Sequence, residues 1–136
     1  MRQLHEIKKE QEAKHSELFK KCGLFWAFSN EQFAQNKTPL EEGDKYVSIG
    51  AGGYLPKSKV DDFCAGMKEI GKWYKKEVAD NKKLRREDII YQLGNHEAWY
   101  THDIEDTLAA LGPGYTRKEV LKIFNEEYDK QTALRD

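Results

Sequence analysis

The clearest pattern of apolar and polar positions lies in the middle of the chain, where apolar residues recur at steps of three and four. These residues are Val60, Phe63, Met67, Ile70, Tyr74 and Val78. The spacing predicts an amphipathic α-helix that begins at Ser58 and ends at Asp80-Asn81. Asp61 and Asp62 fall in its first turn, where the helix dipole favours acidic side chains.

Helical spacing also covers most of the C-terminal half. One helix is predicted from Arg85 to about Trp99, and a shorter one from Thr101 to Leu111. The sequence Gly112-Pro113-Gly114 would stop the shorter helix, because glycine and proline both end regular helical backbone.

Two sites have the spacing of a capping box, in which a hydroxyl and a Glu or Gln three residues later satisfy free backbone N–H groups. Ser29 with Gln32 predicts a helix after residue 29, and Thr116 with Glu119 predicts the last helix of the chain.

An N-terminal helix and short strands are predicted before residue 57. Residues 3–20 carry a narrow, interrupted apolar stripe, so we expect a helix at the periphery or at an interface. Residues 24–28 (LFWAF) are continuously apolar, which indicates a short buried strand. Residues 45–49 (KYVSI) indicate a second strand, and the glycine-rich 50–53 would turn it into a third.

This order of elements predicts an α+β fold in a single domain over residues 1–136. A small two- or three-stranded antiparallel sheet would pack against several helices, and the C-terminal half would be helical. The chain would then comprise a peripheral helix over 1–21, a sheet region over 22–56 and a helical region over 57–136.

Composition narrows the class of protein. The 136 residues are 38% hydrophobic and 12% aromatic, which suffices for a packed core and argues against disorder. The 23 basic and 24 acidic residues exclude a polycation that coats nucleic acid. The charged N-terminus and the absence of a long apolar run predict no secretion and no membrane. We therefore expect a cytoplasmic protein with Cys22 and Cys64 reduced, although their pairing stays open.

Charge is distributed unevenly along the chain. Residues 68–88 hold eight basic and five acidic residues, a net +3, whereas residues 89–136 hold five and nine, a net −4. Such asymmetry favours a charged partner over a small neutral substrate. Alternatively, the two segments are solvated faces that pair with each other.

A basic, aromatic segment over 72–86 is the predicted partner or nucleic-acid surface. It contains Lys72, Trp73, Lys75, Lys76, Lys82, Lys83, Arg85 and Arg86. Trp73 lies off the apolar stripe of its helix, so we expect an exposed ring that stacks on a base or fills a partner's pocket, unless another element covers it. The basic side chains would bind phosphates or an acidic surface.

A second segment gathers His96, Glu97, His102 and Asp103. Two histidines and two acids are candidates for acid/base work or for metal binding. The six-residue step between the histidines is not the one-turn spacing of a zinc protease helix, so no metal and no cofactor is predicted. Asp103, Glu105 and Asp106 form a candidate acidic surface, or Asp103 simply serves the dipole of the next helix.

Three stretches, GLFWAFSNEQF, GDKYVSIGAGGYLPKSKVDDF and NHEAWYTHDIEDTLAALG, carry a family resemblance. Over residues 23–125 the chain resembles a family of small uncharacterised proteins of phages and mobile elements of Bacteroides-like bacteria. The resemblance leaves the N-terminal helix outside and brings no catalytic motif. It implies a class of task, because small phage accessory proteins bind and disable host machines such as CRISPR nucleases.

The leading hypothesis is a non-enzymatic phage or mobile-element protein that occupies a surface of a host protein or ribonucleoprotein, for example as an anti-CRISPR-type or other anti-defence inhibitor. One alternative is a small enzyme that uses the His/acid segment 96–103, with or without a metal. Another is direct RNA or DNA binding through Lys72, Trp73, Lys76 and Arg85. The sequence names neither the partner nor the oligomeric state.

Overall fold

A computed structural model of the chain describes residues 2–133, and it confirms the α+β fold. Three short strands precede a helical C-terminal half. The helices are α1 (Leu4–Cys22), α2 (Asn30–Asn36), α3 (Val60–Tyr74), α4 (Lys82–Asn95), α5 (Ala98–Thr101), α6 (Glu105–Leu111) and α7 (Arg117–Ala133). The strands are β1 (Phe25–Trp26), β2 (Tyr46–Gly50) and β3 (Gly53–Pro56).

Contacts along the chain divide it into two compact units, a grouping that the prediction of a single domain did not contain. The N-terminal unit runs from His5 to Lys75 and holds the sheet. The other unit, which we call the C-terminal unit, comprises residues 2–4 and the chain from Lys76 onward, and it holds helices α4 to α7.

The sheet of the N-terminal unit is antiparallel, with β3 between β1 and β2. Its inner face carries Phe25, Tyr46 and Tyr54, which form an aromatic cluster with Phe33 of α2. Ring centroids in the cluster lie 5.1–5.7 Å apart, mostly edge to face, a preferred geometry for aromatic pairs. These rings hold α2 against the sheet.

The prediction that residues 24–28 form a buried strand is only half right. Only Phe25 and Trp26 are strand, and burial alternates: Phe25 and Ala27 are buried, whereas Trp26 and Phe28 are exposed. Successive side chains of extended backbone point to opposite faces of the sheet. On the face opposite Phe25, Leu55 of β3 is fully buried, whereas Trp26 near the tip is exposed. A continuous apolar run does not tell which of its residues are covered.

Helix α1 packs on α3 within the N-terminal unit. A Cβ at Gly66 of α3 would overlap the side chain of Leu18, so the glycine permits this close approach. The Phe19 and Phe63 rings lie 5.9 Å apart, and the Lys8 ammonium donates a hydrogen bond to the Tyr74 hydroxyl at 3.0 Å. The N-terminal helix, predicted to lie at the periphery or at an interface, thus packs against α3.

Helix α3 follows its predicted course with two differences. A 3₁₀ turn, Lys57–Lys59, replaces its predicted first residues, and five residues of π-helix, Lys75–Ala79, follow its last α-helical turn. The Asp44 carboxylate accepts hydrogen bonds from the backbone N–H and the hydroxyl of Ser58. The Ser58 hydroxyl lowers the pKa of Asp44, so this anchor is ionised at neutral pH.

The helix predicted over 85–99 is two helices. Helix α4 begins earlier, because the side chain of Asn81 accepts the backbone N–H of Leu84 and caps it. It ends at Asn95, and Glu97 has a left-handed φ of 57° that a right-handed helix cannot contain. The break lets the Trp99 ring, on α5, stack on Phe124 of α7 with centroids 5.2 Å apart.

Helix α6 begins later than predicted, at Glu105 instead of Thr101. His102 has a left-handed φ of 62°, which a right-handed helix cannot contain. The Asp103 carboxylate accepts the N–H of Glu105 at 2.9 Å.

The two capping boxes form in part. The Ser29 hydroxyl accepts the backbone N–H of Gln32, as predicted. The side-chain amide oxygen of Gln32, however, accepts the backbone N–H of Phe28, one residue before the cap. The Thr116 hydroxyl accepts the N–H of Glu119. The Glu119 carboxylate bonds Arg85 of α4, a tertiary partner that the local spacing could not reveal.

The core of the C-terminal unit is apolar. It comprises Ile89, Leu93, Ala98, Trp99, Ile104, Val120, Ile123 and Phe124.

Arg85 joins four segments beside this core. Its guanidinium donates two hydrogen bonds to Glu119, at 2.7 and 2.8 Å, one to the Gly114 carbonyl at 2.6 Å and one to the Ala79 carbonyl at 3.3 Å. It also lies 4.0 Å from the centre of the Tyr115 ring. The hydrogen bonds between the two side chains raise the pKa of Arg85 and lower that of Glu119.

We expect Glu119→Gln to lower the free energy of unfolding at pH 7 by about 1–2 kcal/mol, because Arg85 loses a charged acceptor. The pKa of Glu119 is lower in the folded chain than its ordinary value of 4.5. Its stabilisation is therefore complete above about pH 4.5 and is lost as the pH falls through the folded pKa. Urea unfolding followed by circular dichroism at pH 7 and pH 3 measures both effects.

The control is Glu105→Gln, which removes the charge from an exposed pair with Arg117. Exposed pairs contribute little, so the control should unfold like the unmodified chain at both pH values. Equal effects of the two substitutions would contradict the role given to Arg85.

Candidate binding surface

The most exposed group of large apolar side chains in the N-terminal unit lies at the tip of the sheet. Trp26 is 45%, Phe28 76% and Ile49 40% exposed. We call these three residues the sheet-tip surface. Trp26 lies on β1 and Ile49 on β2, so the surface crosses the width of the sheet.

Two glycines bring these side chains together. Gly53 lies between Trp26 and Ile49, and a Cβ there would lie 2.9 Å from the Trp26 ring and 3.0 Å from Ile49 Cγ1. Gly52 has a φ of +81°, and a Cβ there would overlap the Phe28 ring. Because neither glycine has a side chain, the apolar groups close over the backbone and form one continuous surface.

The surroundings of the sheet-tip surface are weakly acidic. Residues 23–56 contain four acids and two bases, a net −2. The acids are Glu31, Glu41, Glu42 and Asp44, and the bases are Lys37 and Lys45. Phosphate groups require clustered cations, so this surface suits an apolar protein partner better than a nucleic acid. Exposed Trp and Phe side chains are typical anchors of protein interfaces.

The basic segment 72–86 does not lie within one unit. Lys72, Trp73 and Lys75 belong to the N-terminal unit. Lys76, Lys82, Lys83, Arg85 and Arg86 belong to the C-terminal unit. Each group is therefore a separate candidate surface.

The Trp73 side chain is half-buried, whereas the sequence predicted an exposed ring. The Lys14 ammonium lies 4.8 Å from the centre of its ring, a cation–π contact across α1 and α3. Trp73 lines a groove of about 390 Å³ between these helices, and the other lining residues include Leu18, Gly66 and Ile70. The N-terminal helix covers this Trp, which is the alternative that the sequence left open.

The two arginines of the basic segment already have carboxylate partners. Arg85 is held by Glu119, as described above. Arg86 pairs with Glu127 at 2.9 Å and with Glu126 at 3.1 Å, and these carboxylates raise its pKa. An anionic ligand would have to displace these acids. Lys82 and Lys83 are exposed, and Lys83 pairs with Glu87 at 4.0 Å.

The His/acid segment is spread over the break between α4 and α6. His96 follows the end of α4 and Glu97 is exposed, with no hydrogen bond between their side chains and His102 or Asp103 among the described residues. His102 Nε2 lies 3.0 Å from the Tyr128 hydroxyl, and its ring packs edge to face on that of Tyr128. Across residues 2–133, no group of three or more His, Cys, Asp or Glu could hold a metal ion.

The candidate acidic surface is partly neutralised within the fold. Glu105 pairs with Arg117, which lowers the pKa of Glu105. Asp103 accepts the N–H of Glu105, so it serves the start of α6, as the structural alternative predicted. Asp106 is exposed.

The two cysteines are free thiols. Cys22 is buried, and burial raises its pKa, which disfavours the reactive thiolate. Cys64 is exposed.

None of the helices that the structure describes is long and apolar enough to cross a bilayer.

The sequence pattern did not single out Trp26, Phe28 or Ile49. The available signal was the Gly52-Gly53 pair after a strand that also ends in glycine, since adjacent glycines mark places where other groups approach the backbone closely. Which groups approach depends on the pairing of β1 with β3, residues that lie 27–29 positions apart in pairs such as Phe25 with Tyr54.

Comparison with known proteins identifies a family for this chain. No curated protein and no solved structure matches the chain significantly. The model of a family of unknown function, DUF7659, matches residues 7–130. The match extends further toward the N-terminus than the predicted resemblance over 23–125, and it includes most of α1. The chain therefore belongs to the family of unknown function DUF7659.

Proposed function

We propose that the protein is a non-enzymatic binding protein that docks another protein on its sheet-tip surface. The observation that carries the proposal is the pair of exposed aromatic rings, Trp26 and Phe28, beside Ile49 over two glycines. Large aromatic side chains dominate the energetics of protein interfaces, and water exposure of such rings is unfavourable in an isolated chain. A partner that buries them would remove that apolar area from water.

The weakly acidic surroundings support a protein partner over a nucleic acid. A host protein, or the protein part of a host ribonucleoprotein, fits this chemistry. Origin from a phage or mobile element, and inhibition of a defence system, stay predictions that follow from the resemblance.

The enzymatic alternative has less support. His102 is engaged by Tyr128, and the side chains of His96 and His102 flank a helix break instead of facing one another across a pocket.

We expect a Trp26→Ala, Phe28→Ala double variant to lose the partner that the unmodified chain retains from a bacterial lysate. Loss of two aromatic anchors should weaken binding by at least about 100-fold. The measurement is a tagged pull-down with quantification of each retained protein, with and without nuclease.

The matched control is Tyr100→Ala, which removes an aromatic ring of similar exposure, 77%, from the C-terminal unit. It should retain the partner at the level of the unmodified chain, and circular dichroism should show all variants folded. Retention of the partner by the double variant, or its release by nuclease alone, would contradict the proposal.

The proposal also predicts weak binding of nucleic acid. Because Arg85 and Arg86 are held by carboxylates, we expect a single-stranded RNA oligonucleotide to bind with a dissociation constant weaker than about 1 μM at ~0.15 M salt. Fluorescence anisotropy over a series of salt concentrations measures this. Tighter binding that falls steeply with salt and is lost in Lys72→Ala, Lys76→Ala would favour the basic segment instead.

A further inference from the structure

Strand β2 has one unpaired edge. In the strand order β1-β3-β2, β3 is central, and no strand among the described residues pairs with the outer side of β2. The outer side of β1 has a partner, because the side-chain amide of Asn36, on α2, donates a hydrogen bond to the Trp26 carbonyl at 2.9 Å. Helix α2 therefore occupies one edge of the sheet and leaves the other open.

The hydrogen-bond pattern shows which backbone groups face that open edge. The Lys57 N–H bonds the Lys45 carbonyl, so residues 45 and 57 form a hydrogen-bonded pair. In an antiparallel ladder such pairs alternate with pairs that do not bond each other. Tyr46 and Ser48 therefore present their N–H and C=O groups outward. Pro56 lies opposite Tyr46, in a pair whose members do not bond each other. This position suits proline, which has no N–H to donate.

Strand β2 has only part of the usual protection of an edge. Natural edge strands carry a charge or a proline, contain a β-bulge, or are covered by another element. The sequence Tyr46–Gly50 (YVSIG) has no charge and no proline, and its bulge lies at one end, between Ser48 and Gly50. Ile49 belongs both to this strand and to the sheet-tip surface, so the open edge and the apolar surface are continuous.

We propose that an extended segment of the partner protein adds to the sheet as a fourth strand along the open edge of β2. The inference rests on the proposed function and names its mode of recognition. The backbone groups of Tyr46 and Ser48 would pair with the segment, and an apolar side chain of the segment would pack beside Ile49.

Charge specifies the segment further. Residues 41–45, which precede β2, hold three acids and one base, Lys45, a net −2, and Asp44 among these acids is already bonded to Ser58. The turn at the other end of β2, residues 50–53, is uncharged. A segment with Lys or Arg at the end beside residues 41–44 and apolar residues beyond it would complement both ends. In an antiparallel pair of two β2 strands, these acids would meet only the uncharged turn of the second copy. The charge pattern therefore favours a basic partner segment over a second copy of this chain.

The test begins with a selection of linear random peptides displayed on phage against the immobilised, unmodified chain. The selected peptides are synthesised, and their dissociation constants are measured for the unmodified chain, for Ser48→Pro and for Ser48→Ala. Proline removes the outward N–H of residue 48, whereas alanine keeps it and controls for the hydrogen bond from the Gly50 N–H to the Ser48 hydroxyl. Amide hydrogen exchange of the chain with and without peptide gives a second readout that needs no variant.

We expect peptides that carry Lys or Arg with apolar residues and that protect the Tyr46 and Ser48 amides from exchange. Ser48→Pro should weaken their binding by about tenfold, and Ser48→Ala by less than about twofold. Glu41→Gln with Glu42→Gln should weaken binding more at low salt than at high salt.

Four outcomes would overturn the proposal: no peptide binds more tightly than about 100 μM, the selected peptides are acidic, the protected amides lie elsewhere, or the chain itself dimerises through β2. Failure of strand addition is distinguishable from failure of the proposed function. If the Trp26→Ala, Phe28→Ala variant loses its protein partner while Ser48→Pro retains it, the sheet-tip surface binds the partner and the edge does not.

Discussion

The aromatic cluster on the inner face of the sheet organises the N-terminal unit. Phe25, Phe33, Tyr46 and Tyr54 bring together both outer strands, the central strand and α2. Side chains alternate along a strand, so the placement of Phe25 in this cluster sends the next residue, Trp26, to the opposite face. The packing that stabilises the sheet therefore places Trp26 on the face opposite the cluster. On that face Leu55 of β3 is fully buried, whereas Trp26 near the tip is 45% exposed.

Ion pairs between helices characterise the C-terminal unit. Basic residues of α4 meet acidic residues of α7, through Arg85 with Glu119 and Arg86 with Glu126 and Glu127. Arg117 pairs with Glu105 of α6. The uneven charge along the chain is thus compensated in part between helices, which is the less specific of the two interpretations that the sequence allowed. The apolar surface, and not the charged segments, distinguishes this protein as a candidate binding module.

Local signals in the sequence predicted most of the helices and both longer strands. The 3.6-residue repeat from Val60 to Val78 placed α3, and the capping hydroxyls of Ser29 and Thr116 placed the starts of α2 and α7. These features depend on residues within one or two turns of each other, so the sequence contains them directly. The break at Glu97 was not predictable in this way, because apolar positions continue through it and left-handed backbone at a non-glycine residue has no strong local signal.

What the sequence determined by itself was the α+β class, the order of the elements and the chemistry available at each position. Only the tertiary structure decided which apolar residues are covered. Trp73 and Trp26 are equally hydrophobic in sequence, yet α1 covers the first and nothing among the described residues covers the second to the same extent. Burial depends on contacts between residues far apart in the chain, such as Lys14 with Trp73 and Trp26 with Gly53. Local periodicity carries no information on such pairs, and for that reason the candidate site emerged from the fold and not from the pattern.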